Sequence, residues 1–373
     1  MSRAAPGGAG ARRPATVHAL LPGGIDDPAS PSGGNVYDRR LCRALADTGR
    51  PVAEIAVPGS WPRPGAAARA RLADALAALP DGSLVLADGL VCCGVPEIAA
   101  EHARRLRLAA LVHLPLAAET GLPSGLAADL DARERATLRA CAAVVATSAW
   151  AARWLADHHG LAGGRTHAVE PGVDPAPLAD GTDGATRLLC VASLTPRKGH
   201  DVLAEALAAV ADLEWTCVCA GSADRDPEHA AALRRSLDRR GIADRVRLAG
   251  PLGGAELERA YASADLAVLP SHWETYGMAV TESLARGVPV LTTDGGALPH
   301  TLGTIPDGTA PGMVVPAGDA SALAAALREW LGSETLRARL RGLAQRRRAT
   351  LTPWTAVAAR MEAVLRQVEG EPR

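Results

Sequence analysis

Short apolar runs alternate with helical stretches along almost the whole chain, in two successive series, and that alternation leaves few folds open. In the first series strands are expected at 15–21, 52–57, 84–87, 108–114, 143–147 and 166–169. Helical patterns fall at 66–79, 96–105, 125–140 and 150–159. A further helix opens at Gly33-Gly34 and is expected to turn Val36, Leu41 and Leu45 toward a core. Strands that alternate with helices argue for a parallel sheet covered on both faces. The series is then interrupted. Val169-Glu-Pro-Gly-Val-Asp174 leads into a stretch of Pro, Ala, Asp and Gly up to Gly184, polar and rich in breakers, as domain boundaries are. A second series follows, with strands at 187–192, 215–220, 246–249, 266–269, 288–293 and 313–315 and helices between them. Three helices, at 320–331, 335–350 and 354–368, finish the chain.

The expected fold class is therefore α/β, with two doubly wound domains facing one another across a cleft. A length of 373 residues suits two cores better than one. The expected division is a disordered tail at 1–13, a first domain at 14–170, a linker at 171–184, a second domain at 185–350 and a terminal helix within 351–373. A net charge of −1 gives no reason to expect nucleic acid as partner. No apolar run approaches the roughly 20 residues that span a bilayer, and MSRAAPGGAGARR lacks the apolar core of a secretory signal, so no transmembrane segment is expected. The seven cysteines are an odd number without a C-x-x-C pair, which reads as buried free thiols in a reducing, cytoplasmic setting.

Three loops carry chemistry. The first is ETYGMAVTESLARGVPVL, Glu274 to Leu291. Glu274 falls in the loop after a strand and Glu282 about one turn into the next helix, which Gly277 opens and Gly287 closes. An unpaired buried carboxylate is costly, so core packing does not explain the pair. Ligands of open α/β sheets bind beyond the carboxyl ends of the strands. A carboxylate there can accept two sugar hydroxyls, and the first amides of the helix, from Met278 and Ala279, can meet an anion or a hydroxyl. The second loop, Ser193-Leu-Thr-Pro-Arg-Lys-Gly-His200, follows the opening strand of the second series and starts a helix, where phosphate is favoured. Arg197 and Lys198 add full charges. Lysine and arginine total 40, and Lys198 is the only lysine, which suggests a place where arginine will not serve. The third is Gly33-Gly34-Asn35, where glycines let backbone approach a ligand at a helix start. Asn35, Tyr37 and Glu119, in first-domain loops and helix starts, are candidates for acceptor contacts. No Walker loop and no G-x-G-x-x-G is present.

Taken together, Glu274-x7-Glu282 with Gly277 and Gly287-Val-Pro-Val290, VASLTPRKGHDVL at 191–203, VEPGVD at 169–174 and LVHLP at 111–115 resemble the retaining nucleotide-sugar glycosyltransferases of family 4. The resemblance runs from the first strand to the last helix and is most specific in the second half. It implies the two-domain GT-B architecture, with the last helix crossing back to the first domain. The second domain would bind a UDP- or GDP-sugar. Glu282 would hold the ribose. Glu274 and the amides near Gly277, Met278 and Ala279 would hold the transferred hexose. Arg197 and Lys198 would hold the diphosphate, approached from the first domain by Gly33-Gly34. His113 would stand beside the donor sugar, so that His113, Glu274 and Lys198 form the catalytic set. Gly250 and Leu252 would flank the base. No metal or other cofactor is implied. One departure is that Ala192-Ser193 stands where many members carry Gly-Arg.

A phosphorylase or nucleotide-sugar epimerase on the same architecture, and a non-catalytic nucleotide-sugar-binding protein, are the competing readings. His158-His159 has no third ligand at metal spacing in the sequence. The arginines at 337, 339, 341, 346, 347 and 348 read as a solvated basic face; membrane contact there would make a lipid-linked acceptor plausible.

Overall fold

The computed structural model describes residues 14–370 other than Ser30, Thr120 and Asp183, so the tail expected at 1–13 lies outside the described residues. Twelve strands form two six-stranded sheets. The first holds β1 (Val17–Pro22), β2 (Val52–Val57), β3 (Leu84–Asp88), β4 (Arg107–Val112), β5 (Ala143–Ala146) and β6 (Thr166–Ala168), in the order β2-β1-β3-β4-β5-β6. The second holds β7 (Arg187–Val191), β8 (Thr216–Ala220), β9 (Val246–Gly250), β10 (Leu266–Leu269), β11 (Val290–Thr293) and β12 (Gly312–Val315), in the order β12-β11-β10-β7-β8-β9. Every pairing within the two sheets is parallel.

The central strands are buried along their whole length, as in β3, β5, β10 and β11, because helices cover both faces of each sheet. Apolar clusters therefore lie against both faces of each sheet, with a small further one of Ala19, Leu21, Ile25 and Cys42 beside β1. In each sheet the winding direction reverses once, between β1 and β3 and between β7 and β10. Such reversal points open a crevice at the carboxyl ends of the flanking strands. The chain leaves those four strand ends into the Gly33-Gly34 loop, Asp88, the Ser193–Lys198 loop and the Glu274 loop, so topology alone gathers the candidate residues.

The last helix, Trp354–Gly370, packs on the first domain. Trp354, Val357, Met361 and Leu365 share a core with Tyr37, Leu41 and Leu45 of the helix Gly33–Asp47. Arg50, 2% exposed at its side chain, is paired with Glu369 at 2.6 Å and Glu362 at 3.4 Å on that helix. The two domains are thus tied at the chain's end as well as at 171–184.

One expectation needs correction. Val36 does not enter the core: it is 43% exposed and lines the cleft, because it sits in the first turn beside the cavity-lining glycines. The basic face of the helix Glu334–Arg348 is solvent-exposed as expected, with Arg341 37% and Arg346 58% exposed at their side chains, and most of its arginines also have partners. Arg341 pairs with buried Asp265 and Arg346 with Asp307, while Arg337, Arg347 and Arg348 bond to backbone carbonyls of Trp330 and Leu331, Leu302 and Ala176. Among the described residues no helix is long and apolar enough to cross a membrane.

Candidate active site

A cavity of about 570 Å³ lies between the domains, within the size range of small-molecule sites. Gly33, Gly34, Asn35, Tyr37, His113, Glu119, Arg197, Lys198, Leu252, Glu274, Gly277, Met278, Ala279 and Glu282 all line it. Gly250 does not; it ends β9, and the next residues, Pro251 and Leu252, form the wall instead.

Glu274 is the electrostatic centre. Its side chain is 8% exposed. Arg197 Nη1 donates to one carboxylate oxygen at 2.9 Å, and Lys198 Nζ and the Ser271 hydroxyl donate to the other. Burial opposes its charge, but Lys198 and Arg197 outweigh burial and hold its pKa down at about 2. Burial depresses the Lys198 ammonium, and the Glu274 charge opposes that. Arg197 also donates to the Trp273 carbonyl at 2.9 Å, and its guanidinium stands 3.5 Å from Glu119 of the first domain. The turn that presents these cations is fixed by Gly199. Its φ is +67°, and a Cβ there would lie 2.1 Å from the Pro270 carbonyl oxygen at the end of β10. No side chain fits so close an approach, and the two loops of the reversal point are thereby held together.

One turn into the helix Met278–Ala285, Glu282 accepts the Tyr261 hydroxyl at 2.8 Å. Burial raises its pKa above the usual carboxylate value, partly offset by Tyr261 and Arg286. Its second oxygen makes no hydrogen bond among the described residues, so it can still accept from a ligand.

Across the cleft, His113 follows β4. Its Nε2–H donates to Asp38 at 2.8 Å, and its carbonyl accepts the Thr275 hydroxyl at 2.5 Å, linking the domains beside Glu274. Gly34 packs closely against this ring, since a Cβ there would stand 3.0 Å from His113 Cδ2. Tyr37 meets the same ring edge-on, but its hydroxyl is committed to the Val169 carbonyl at 2.9 Å, so it positions the histidine and has no donor left for an acceptor. Asn35 lies on the wall near the helix start, where its amide is capped by Ser32.

Among the wall residues that were not anticipated are Asp88, Thr147 and Arg225. Asp88 ends β3 and Thr147 follows β5, both at strand carboxyl ends. Arg225, beyond β8, makes no hydrogen bond or ion pair among the described residues, and burial lowers its pKa. The strand-end rule that located Lys198 would also have flagged it. Away from the cleft, the fold brings Asp131 to His158-His159, the neighbour that sequence spacing did not reveal.

Comparison with known proteins agrees with this architecture. The family description "Glycosyl transferases group 1" matches residues 185–333, and "Glycosyltransferase Family 4" matches residues 11–177. The chain is 31% identical over 266 residues to a D-inositol 3-phosphate glycosyltransferase of Kineococcus radiotolerans, covering 63% of this chain and 60% of that protein. It is 28% identical over 178 residues to mannosylfructose-phosphate synthase of Agrobacterium fabrum, covering 43% of this chain and 39% of that one. The matched region thus spans less than two thirds of either relative. Sucrose-phosphate synthase of Thermosynechococcus elongatus has the same fold, with a TM-score of 0.76 at 21% identity over 95% of this chain and 99% of that one. Anabaena HepE, solved with UDP-glucose, superposes with a TM-score of 0.71 at 16% identity over 94% of this chain and 99% of that one. With both halves matched in order and the GT-B fold in common, the chain belongs to the group 1, family 4 glycosyltransferases.

Proposed function

We propose that this protein transfers a hexose-type sugar, with retention and without a metal, from a UDP- or GDP-sugar to a hydroxyl acceptor. The observation that carries the reading is the buried Glu274, held between Arg197 and Lys198 at the reversal point of the second sheet and facing Gly33-Gly34 and His113 across the cleft. The names of the relatives, and the UDP-glucose in the HepE structure, support a sugar nucleotide as donor.

Breaking a sugar–phosphate bond leaves negative charge on the diphosphate. Lys198 and Arg197, with the N–H groups at the start of the helix Met278–Ala285, stabilise that charge where it grows. Glu274 accepts hydroxyls of the sugar and keeps both cations in place before the donor arrives. Glu282 accepts from the ribose through its unoccupied oxygen. Closure around the acceptor orients its hydroxyl and excludes water, so transfer outruns hydrolysis. The departing phosphate takes the acceptor proton. The buried thiols suit a cytoplasmic setting. The engaged arginines of the helix Glu334–Arg348 favour a small-molecule acceptor over a lipid-linked one.

The test is calorimetric binding of UDP, GDP, ADP, TDP and their common sugars, with and without EDTA. One nucleotide family is expected to bind, unaffected by EDTA, and Lys198→Ala and Glu282→Ala each to abolish binding. Unchanged affinity in either variant, or no binding by the wild type, overturns the site. Retention is read from the anomeric configuration of the product. Net phosphorolysis or epimerisation of the donor would favour the phosphorylase or epimerase reading. Tight binding without turnover across an acceptor panel would favour a binding protein.

A further inference from the structure

Behind His113, two carboxylates far apart in sequence meet in the interior. Asp38 lies in the second turn of the helix Gly33–Asp47 and is 2% exposed; Asp88 ends β3 and is 4% exposed. One oxygen of each lies with a ring nitrogen of His113 in a group whose three atoms are all within 4.8 Å of one another. Asp88 already accepts the Leu90 N–H at 2.6 Å. Asp38 accepts His113 Nε2–H through Oδ1, but its Oδ2 is buried with no hydrogen-bond partner. Two ionised carboxylates so close in the interior repel strongly, and a buried acceptor without a donor costs about 1–3 kcal/mol. A single proton on Asp88, directed at the orphaned Asp38 oxygen, removes both penalties.

We propose that Asp88 and Asp38 share a buried proton, and that Asp38 is a positioning residue that fixes His113 with Nδ1–H offered to the cleft as a constant hydrogen-bond donor to a ligand oxygen. Three contacts hold the ring in place. Gly34 packs against Cδ2 and Cγ of the ring, Tyr37 stands edge-on at 5.2 Å between centroids, and Nε2 is committed to Asp38. Nδ1 makes no hydrogen bond among the described residues. The groups facing His113 are Asp38 and the phenol of Tyr37 from its helix, Asp88 from β3, and, from the opposite wall, Glu274 with its partners Lys198 and Arg197. The last three are mutually paired, so the nearest uncompensated charge is Asp38. Burial and the charge of Asp38 push Asp88 up to about 8. Burial works against a charged His113, but the charge and hydrogen bond of Asp38, helped by Asp88, hold it up at about 9. A doubly protonated ring can donate but cannot accept a proton. Within the proposed transferase, on which this role rests, His113 therefore binds a donor-sugar hydroxyl or a phosphate oxygen and does not act as general base.

The test is a pH titration of the imidazole nitrogens by long-range ¹H–¹⁵N NMR on the full chain, with His113 assigned by the signal lost in His113→Gln. His113 is expected to remain an imidazolium beyond about pH 8, and Asp38→Asn to drop its midpoint to or below the ordinary value near 6.5. Asp88→Asn retains an N–H for the orphaned oxygen and is expected to leave His113 charged. A wild-type midpoint near the ordinary value overturns the proposal, and this decides the matter even if Asp38→Asn does not fold. So does an unmoved midpoint in Asp38→Asn, or displacement of the His113 signals by magnesium or zinc ions, which would make the cluster a cation site. The titration needs no donor, so its failure leaves the transferase reading standing. Absence of nucleotide binding would sink that reading and leave the titration unchanged.

Discussion

Lys198 is subject to two opposed demands. Burial depresses its ammonium, and Glu274 requires its charge. The neighbouring Arg197 already engages Glu274, one guanidinium nitrogen donating to both its carboxylate and the Trp273 carbonyl, so a second guanidinium would compete for the same partners. Lys198→Arg is therefore expected to lose nucleotide-diphosphate affinity by about tenfold to a hundredfold, the worth of a charged hydrogen bond. Wild-type affinity in the calorimeter would mean that the lone lysine is only a coding bias. Glu274 gives a pH prediction. Its folded pKa of about 2 lies below the ordinary 4.5, so its stabilising contribution is complete above about 4.5 and is lost as pH falls toward 2. That contribution is on the order of 3 kcal/mol. Glu274→Gln, which leaves two buried cations unpaired, is expected to unfold more readily at neutral pH and to show a flatter stability profile between these values in urea titrations. Lys198, Glu274 and Gly34 were legible in the sequence because loops after parallel strands converge at one sheet edge. Asp38 was not. It sits in the interior turns of a helix, and its partners His113 and Asp88 become neighbours only through the adjacency of β1, β3 and β4. Tyr37 lies on the cavity wall, and sequence did not say that its hydroxyl donates to the Val169 carbonyl.

At the level of elements, periodicity marked the strands well because buried parallel strands are uniformly apolar, as in Leu84–Asp88 and Leu266–Leu269. It missed the short helix Gly89–Cys92, which Asp88 caps, because four residues carry no period. It also could not say where the last helix packs: an amphipathic pattern names a buried face and not its partner, and only the family resemblance implied the crossing. That packing has a consequence. Leu365 is fully buried against the first domain's core, on a helix that follows the second domain in sequence. Leu365→Ala is expected to cost about 2–5 kcal/mol. The loss should appear in unfolding followed through first-domain probes, while nucleotide binding by the folded protein changes little. A variant that lost second-domain stability alone would contradict the packing.

At the scale of the whole molecule, several contacts between the two domains lie at the site itself. Thr275 bonds to the His113 carbonyl, Glu119 reaches Arg197, and Trp273 packs edge-on against Trp150 at 5.2 Å and Trp154 at 5.9 Å on the helix Ala149–His159. Trp273 directly precedes Glu274, so the residue that locks the second domain to the first also sets the carboxylate's place. Each aromatic contact of this kind is worth about 0.5–1.5 kcal/mol beyond its buried area. Trp273→Ala should therefore shift the domains toward open arrangements without unfolding either sheet. Small-angle scattering of the unliganded variant should give a larger radius of gyration than the wild type. In transfer assays hydrolysis of the donor should rise relative to transfer, because an open cleft admits water. Donor affinity should fall about tenfold, less than in Lys198→Ala, since the cations themselves remain. If scattering and the hydrolysis ratio both stay at wild-type values, the aromatic contact is packing alone, and closure rests on the polar links between Thr275, His113, Glu119 and Arg197.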